Sequence, residues 1–176
     1  GLKYDVEINY IGNIENKVDE LVVESIKHWK KDVHNKYSIV AELFFGQFIN
    51  KVVSLENNKI VSKRFELYNM LNVPISGRTL YDSLSKYFEK ETLESKYLDE
   101  KSGKEIDAYR QIKLMRIPKY LIIVLKRYNN YSDNLYKVNQ MISFPFSNLD
   151  MTPYTEGYDM VDCRSEEHTS ELQSPD

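Results

Sequence analysis

The sequence predicts an α+β domain, with helices first and a mostly antiparallel sheet after. Three observations carry this. Apolar residues recur at helical spacing over residues 18–33, they alternate at strand spacing over 60–71 and 135–144, and Pro74 and Gly77 break the chain ahead of a second helix. The 176 residues are 41% hydrophobic and 12% aromatic, enough for one core. Six Gly and five Pro exclude collagen-like or low-complexity chains.

Val18, Leu21, Val22, Ile26, Trp29 and Val33 define one helix face. Asn16 is its expected N-cap, with Asp19 three residues on. Ser38–Phe45 reads as a short apolar helix or turn running into Gly46. Residues 47–55 and 60–71 form a hairpin around the turn Glu56–Lys59. In its second strand Val61, Phe65, Leu67 and Leu71 share one face. Ser62, Arg64, Glu66 and Tyr68 are expected on the half-polar one.

A second helix follows from Thr79, with Leu80, Leu84, Tyr87 and Phe88 on one side and a Thr79/Asp82 capping box. Residues 89–107 are charged and contain Ser102-Gly103, so a loop or short hairpin is expected. Residues 108–117 read as a strand ending before Pro118. Tyr120–Leu125 reads as a strand buried on both faces and Asn129–Asn134 as a polar turn. Residues 135–144 read as a strand with Tyr136, Val138, Ile142 and Phe144 inward.

The net charge is −3, and residues 164–176 account for all of it, with one Arg against Glu166, Glu167, Glu171 and Asp176. The rest is neutral, so a nucleic-acid partner has no electrostatic support. The longest strongly apolar run, Tyr120–Leu125, is far too short for a membrane helix. One Cys excludes a disulfide framework. Arg164–Ser174 matches one in-phase translation of a common sequencing adapter, so residues 164–176 are expected to be an assembly artefact outside the fold. The start at Gly1, without Met, is read as a missing N-terminus.

Catalytic chemistry is sparse. Cys163 is the single thiol, beside the adapter-like segment that holds His168. His28 and His34 lie on or beside the first helix and read as solvated. No Gly-rich phosphate loop and no HExxH is present. The residues alone therefore describe an α+β domain without a readable active site.

The order of segments says more. Leu43-Phe-Phe-Gly46-Gln-Phe leads to Arg64-Phe-Glu-Leu67, then to Thr79-Leu-Tyr-Asp-Ser-Leu84. Lys96-Tyr97 and Asp107-Ala-Tyr-Arg110 follow. Then come Ile117-Pro-Lys-Tyr-Leu-Ile-Ile-Val-Leu-Lys-Arg-Tyr128, Ile142-Ser-Phe-Pro145 and Leu149-Asp-Met151. Over residues 18–155 this resembles the ubiquitin-specific protease (USP) family of cysteine deubiquitinases, also called ubiquitin carboxyl-terminal hydrolases.

The resemblance implies part of a papain-like cysteine peptidase fold shaped as an open hand. Residues 1–163 would hold part of the thumb and palm, with fingers over about 46–108 and palm strands over about 108–150. It implies ubiquitin or ubiquitinated proteins as partners, an intracellular setting in cytoplasm or nucleus, and no cofactor. The family's Cys box would precede this chain and its His box would follow, so no catalytic residue carries over and the piece alone should be inactive. Cys163 is misplaced for the nucleophile. Family zinc positions fall on Ser54, Asn57, Asp99 and Ser102, which cannot build a thiolate zinc site. Ubiquitin contacts are expected within 46–108, with Tyr97 and Tyr109 as amphipathic contacts. The alternative is a catalytically inactive, USP-like module that binds ubiquitin or scaffolds a complex.

Overall fold

A computed structural model describes residues 13–33, 38–131 and 134–156. Helix α1 spans Lys17–Val33. Asn16 Oδ1 accepts from the Val18 and Asp19 amides, and Asp19 Oδ2 accepts back from the Asn16 amide, so the expected cap forms. The buried face runs through Ser25, Trp29 and Val33, while Val18 is exposed. Helix α2 (Ile39–Phe44) follows, capped by Ser38.

Strands β1 (Gly46–Ser54) and β2 (Ile60–Tyr68) pair antiparallel as expected. Asn57 Oδ1 accepts from the Lys59 amide inside the turn, and Asn58 takes a positive φ there. Leu71 does not extend β2. It opens a separate strand, β3 (Leu71–Pro74), and is fully buried in a different part of the core.

Helix α3 (Leu80–Tyr87) starts with the predicted capping box. Asp82 N donates to Thr79 Oγ1, and Asp82 Oδ2 accepts from the Thr79 and Arg78 amides. Residues 89–107 hold the short strand β4 (Glu91–Thr92) and a hairpin of β5 (Tyr97–Asp99) and β6 (Lys104–Ile106). Strand β7 (Ala108–Arg116) completes a four-stranded sheet of order β2-β1-β7-β4. All its pairings are antiparallel.

The second half corrects several expectations. Only Ile123–Lys126 forms a strand (β8), and it pairs with β3 in parallel. It is not buried on both faces: Ile122 and Val124 are exposed on one side, while Ile123 and Leu125 pack on the core. Asn129 and Asn130 belong to β9 (Tyr128–Tyr131), which pairs with β10 (Asn134–Lys137), so the turn is narrower than predicted. The expected inward set over 135–144 fails, and the strand ends at Lys137. Ile142 is buried, but Tyr136 and Phe144 are 58% and 57% exposed. No continuous strand runs through residues 138–144: Ser143 makes an isolated parallel bridge to Thr79, exchanging backbone hydrogen bonds with Arg78 and Leu80 at the start of α3.

The main core gathers Phe48, Tyr68, Leu71, Val73, Leu84, Phe88, Leu114 and Tyr154 between α3, the sheet and the β3–β8 pair. Two satellite clusters pack α1 against the sheet and α2: Ile49, Phe65 and Met115 in one, Trp29, Val33 and Ala41 in the other.

Candidate functional site

Residues opposite each other in an antiparallel ladder point the same way, so the register assigns the faces of the sheet. One face carries Phe48, Asn50 and Val52 of β1. From β2 it takes Ser62, Arg64, Glu66 and Tyr68, and from β7 it takes Arg110, Ile112 and Leu114. Glu91 of β4 pairs with Arg110, and its carboxylate accepts from Arg110 Nη2 at 2.7 Å.

This face has two zones. Near α3 it is core: Phe48 stacks on Tyr68 at 4.1 Å and meets Phe88 edge-on at 6.5 Å. Tyr68 is therefore not a member of the wet face. It is buried, its hydroxyl donates to the Arg116 carbonyl at 3.1 Å, and burial, with a further push from Tyr87, raises its phenol above the ordinary value. Away from α3 the face opens. Arg64, Glu66, Glu91 and Arg110 are exposed there, with Asn50, Val52, Ser62 and Ile112 half-buried between them. Ser62, Arg64 and Glu66 thus lie where the sequence puts them.

The opposite face is covered. Ile49, Phe65 and Met115 pack with Leu21 of α1. Leu67 packs on the Trp29 cluster, and Arg116 lies 4.2 Å from the Trp29 ring.

Tyr97 and Tyr109 are half-buried rather than solvated, and Lys90 Nζ sits 4.7 Å over the Tyr109 ring. His28 is exposed and its ring leans on Phe65 at 5.1 Å. His34, Cys163, His168 and the whole segment 164–176 lie outside the described residues.

The four positions that the resemblance equates with zinc ligands, Ser54, Asn57, Asp99 and Ser102, lie in or beside two turns and are engaged locally. Ser54 is buried, and its Oγ accepts from the Glu56 amide. Asn57 binds the Lys59 amide. Asp99 accepts the Ser102 hydroxyl at 2.6 Å and the Lys101 amide at 3.1 Å, contacts that hold its carboxyl below the usual range. Two hydroxyls, one amide and one engaged carboxylate do not fit tetrahedral zinc.

What the described residues offer is an open surface of mixed charge. The region 46–108 named from sequence includes its β1, β2 and β4 residues, but only pairing register joins Asn50, Glu91 and, from β7, Ile112 to Arg64.

The family model for ubiquitin carboxyl-terminal hydrolase matches residues 10–167, and the chain belongs to that family. It is 32% identical over 137 residues to human ubiquitin carboxyl-terminal hydrolase 34, covering 76% of this chain and 4% of that protein. It is 26% identical over 164 residues to a probable ubiquitin carboxyl-terminal hydrolase of Acanthamoeba polyphaga mimivirus, covering 86% of this chain. The chain spans about a third of that relative's length, 34%. The fold is similar to that of the SAGA Ubp8/Sgf11/Sus1/Sgf73 DUB module bound to ubiquitin aldehyde. The TM-score is 0.63 at 23% identity, over 80% of this chain and 32% of that one. No described helix is long and apolar enough to cross a membrane.

Proposed function

We propose that this chain is the ubiquitin-holding part of a thiol-dependent deubiquitinase. The family match over residues 10–167 is the observation that carries the reading. The whole protein would cleave the bond after the C-terminal Gly of ubiquitin. A thiolate from outside this chain attacks the carbonyl, a histidine outside it moves the proton to the leaving amine, and water resolves the thioester.

The chain's own part is recognition. Residues 46–108 act as fingers and 108–150 as palm strands, and the open zone around Arg64, Glu66, Asn50 and Arg110 meets ubiquitin. Alternating charges flanking half-buried apolar groups suit a protein surface, because they give register as well as contact area. Two structures of similar fold are DUB modules bound to ubiquitin aldehyde and to monoubiquitin, which supports this partner. The fingers work without zinc, and the setting is intracellular.

The test is hydrolysis of a ubiquitin C-terminal fluorogenic amide by the full-length protein, with and without thiol alkylation. Turnover that alkylation abolishes is expected. Ubiquitin binding without turnover would point to the inactive binding module instead. Neither binding nor turnover would overturn both.

A further inference from the structure

The turn between β1 and β2, the exit of β4 and the corner between β6 and β7 enclose an open cavity of about 610 Å³ at the tip of the sheet. The last pair of the β1–β7 ladder, Ser54 with Ala108, separates it from the open zone around Arg64. Backbone bonds tie its walls together. The Leu55 amide donates to the Asp107 carbonyl at 2.9 Å, and the Leu93 amide donates to the Ala108 carbonyl at 3.0 Å. The turn itself closes through the Ser54 amide and the Lys59 carbonyl, at 3.0 Å. The cavity is therefore formed without a ligand, and its volume falls in the range of about 300–1,000 Å³ that ligand sites occupy.

Its lining is of two kinds. Leu55, Leu93 and Ile106 supply apolar surface, and Leu55 is 47% exposed. Leu98 stands opposite Glu105 in the β5–β6 ladder, so both side chains leave the hairpin on the same side, and Leu98 is 57% exposed. Glu56, Glu105 and Asp107 supply three exposed carboxylates. None of the three belongs to the ion pairs of the described residues, which join Lys51 to Glu156, Lys63 to Glu24, Lys86 to Glu89 and Arg110 to Glu91. Residues 91–107 hold six acidic side chains against three lysines, while residues 1–163 as a whole are neutral. A single metal ion does not suit the lining, because no three carboxylate, imidazole or thiol groups among the described residues are placed to share one. An extended cation that also buries apolar surface suits both halves of it.

We infer that this cavity docks a short segment of a partner protein in which basic and apolar residues alternate. The cationic heads meet Glu56, Glu105 and Asp107, and the apolar side chains lie on Leu55, Leu93 and Ile106. Lysine and arginine serve both halves at once, since their aliphatic stems cover apolar surface while their heads reach a carboxylate. Charge pairs at an exposed rim fix orientation and partner choice more than they add affinity, so the apolar floor has to carry part of the binding. The inference does not rest on the deubiquitinase reading.

The experiment uses the full-length protein and two fluorescein-labelled peptides, Leu-Arg-Leu-Arg-Leu and Gly-Arg-Gly-Arg-Gly, followed by anisotropy at about 0.15 M salt. The variants are the double change Glu56→Gln/Glu105→Gln and the single change Leu55→Ser. All three positions are exposed, so the melting temperature should stay within about two degrees of wild type. The wild-type protein is expected to bind the Leu/Arg peptide about ten-fold tighter than the Gly/Arg peptide, and each variant should weaken the Leu/Arg peptide by about ten-fold. Free ubiquitin should not displace it. Equal affinity for the two peptides overturns the inference, because charge alone would then account for binding. Wild-type affinity in either variant overturns it too, as does displacement by ubiquitin or no binding of the Leu/Arg peptide at all. A full-length protein without turnover sinks the deubiquitinase reading and leaves the peptide result to judge the cavity by itself.

Discussion

Gly46 and Tyr68 face each other across the first pairing of β1 with β2, and the tyrosine ring fills the space a side chain on Gly46 would need. A Cβ there would lie 2.4 Å from Tyr68 Cζ and 2.6 Å from the Arg116 carbonyl oxygen. The same carbonyl accepts the Tyr68 hydroxyl. Glycine is thus required by a close approach between three strands' worth of backbone and ring, not by a turn. Gly46→Ala should destabilise the fold by about 2 kcal/mol in urea unfolding, the usual size of an overpacking penalty. Added to Tyr68→Leu, which frees the space, it should cost markedly less than the sum of the single changes.

The capping box of α3 gives a pH prediction. Thr79→Ala should cost about 1 kcal/mol, typical of a lost N-cap. Asp82 is held below its ordinary value of 3.8, chiefly by the Thr79 amide, then by the Thr79 hydroxyl contact and the Arg78 amide. A lowered carboxyl stabilises the fold above its unfolded pKa, and that stability is lost as pH falls through the lower folded value. Asp82→Asn should therefore flatten the acid limb of the stability curve below about pH 4, read by thermal unfolding across pH.

The open zone of the sheet should act on binding alone. Arg64→Glu reverses an exposed charge that makes no ion pair among the described residues. It should leave the melting temperature unchanged within about a degree or two, since surface changes of this kind stay near ±0.5 kcal/mol. KM for the ubiquitin amide should rise several-fold, with kcat retained. An unchanged KM would remove this zone from the ubiquitin surface.

Leu84 is fully buried at the centre of the main core, where α3 meets the sheet. Leu84→Ala should cost about 3 kcal/mol through lost burial and the cavity left behind. Chemical denaturation of the full-length protein measures this directly.

Finally, the 176-residue chain by itself should show no hydrolysis of the ubiquitin amide. Any turnover from a clean preparation would contradict the placing of the nucleophile and its histidine outside this chain.

Local chemistry was legible from sequence. The Asn16/Asp19 and Thr79/Asp82 caps, the Glu56–Lys59 turn and the Ser102-Gly103 hairpin depend on residues within a few positions of each other, and all form. The α+β order of elements and the family resemblance, later matched over residues 10–167, also came from sequence alone. Alternation along β2 correctly set Arg64 and Glu66 against Phe65 and Leu67, because side chains on a strand must alternate. It could not say which stretch of each face would be covered. Tyr68 shares a face with Arg64 yet is buried, because α3 packs over that end of the sheet and not the other. The parallel β3–β8 pair, the exposure of Tyr136 and Phe144, and the Lys51–Glu156 contact across 105 residues likewise depend on partners distant in the chain. Periodicity fixes the phase of a strand, but its burial is decided by whatever packs against it, and only the tertiary structure supplies that.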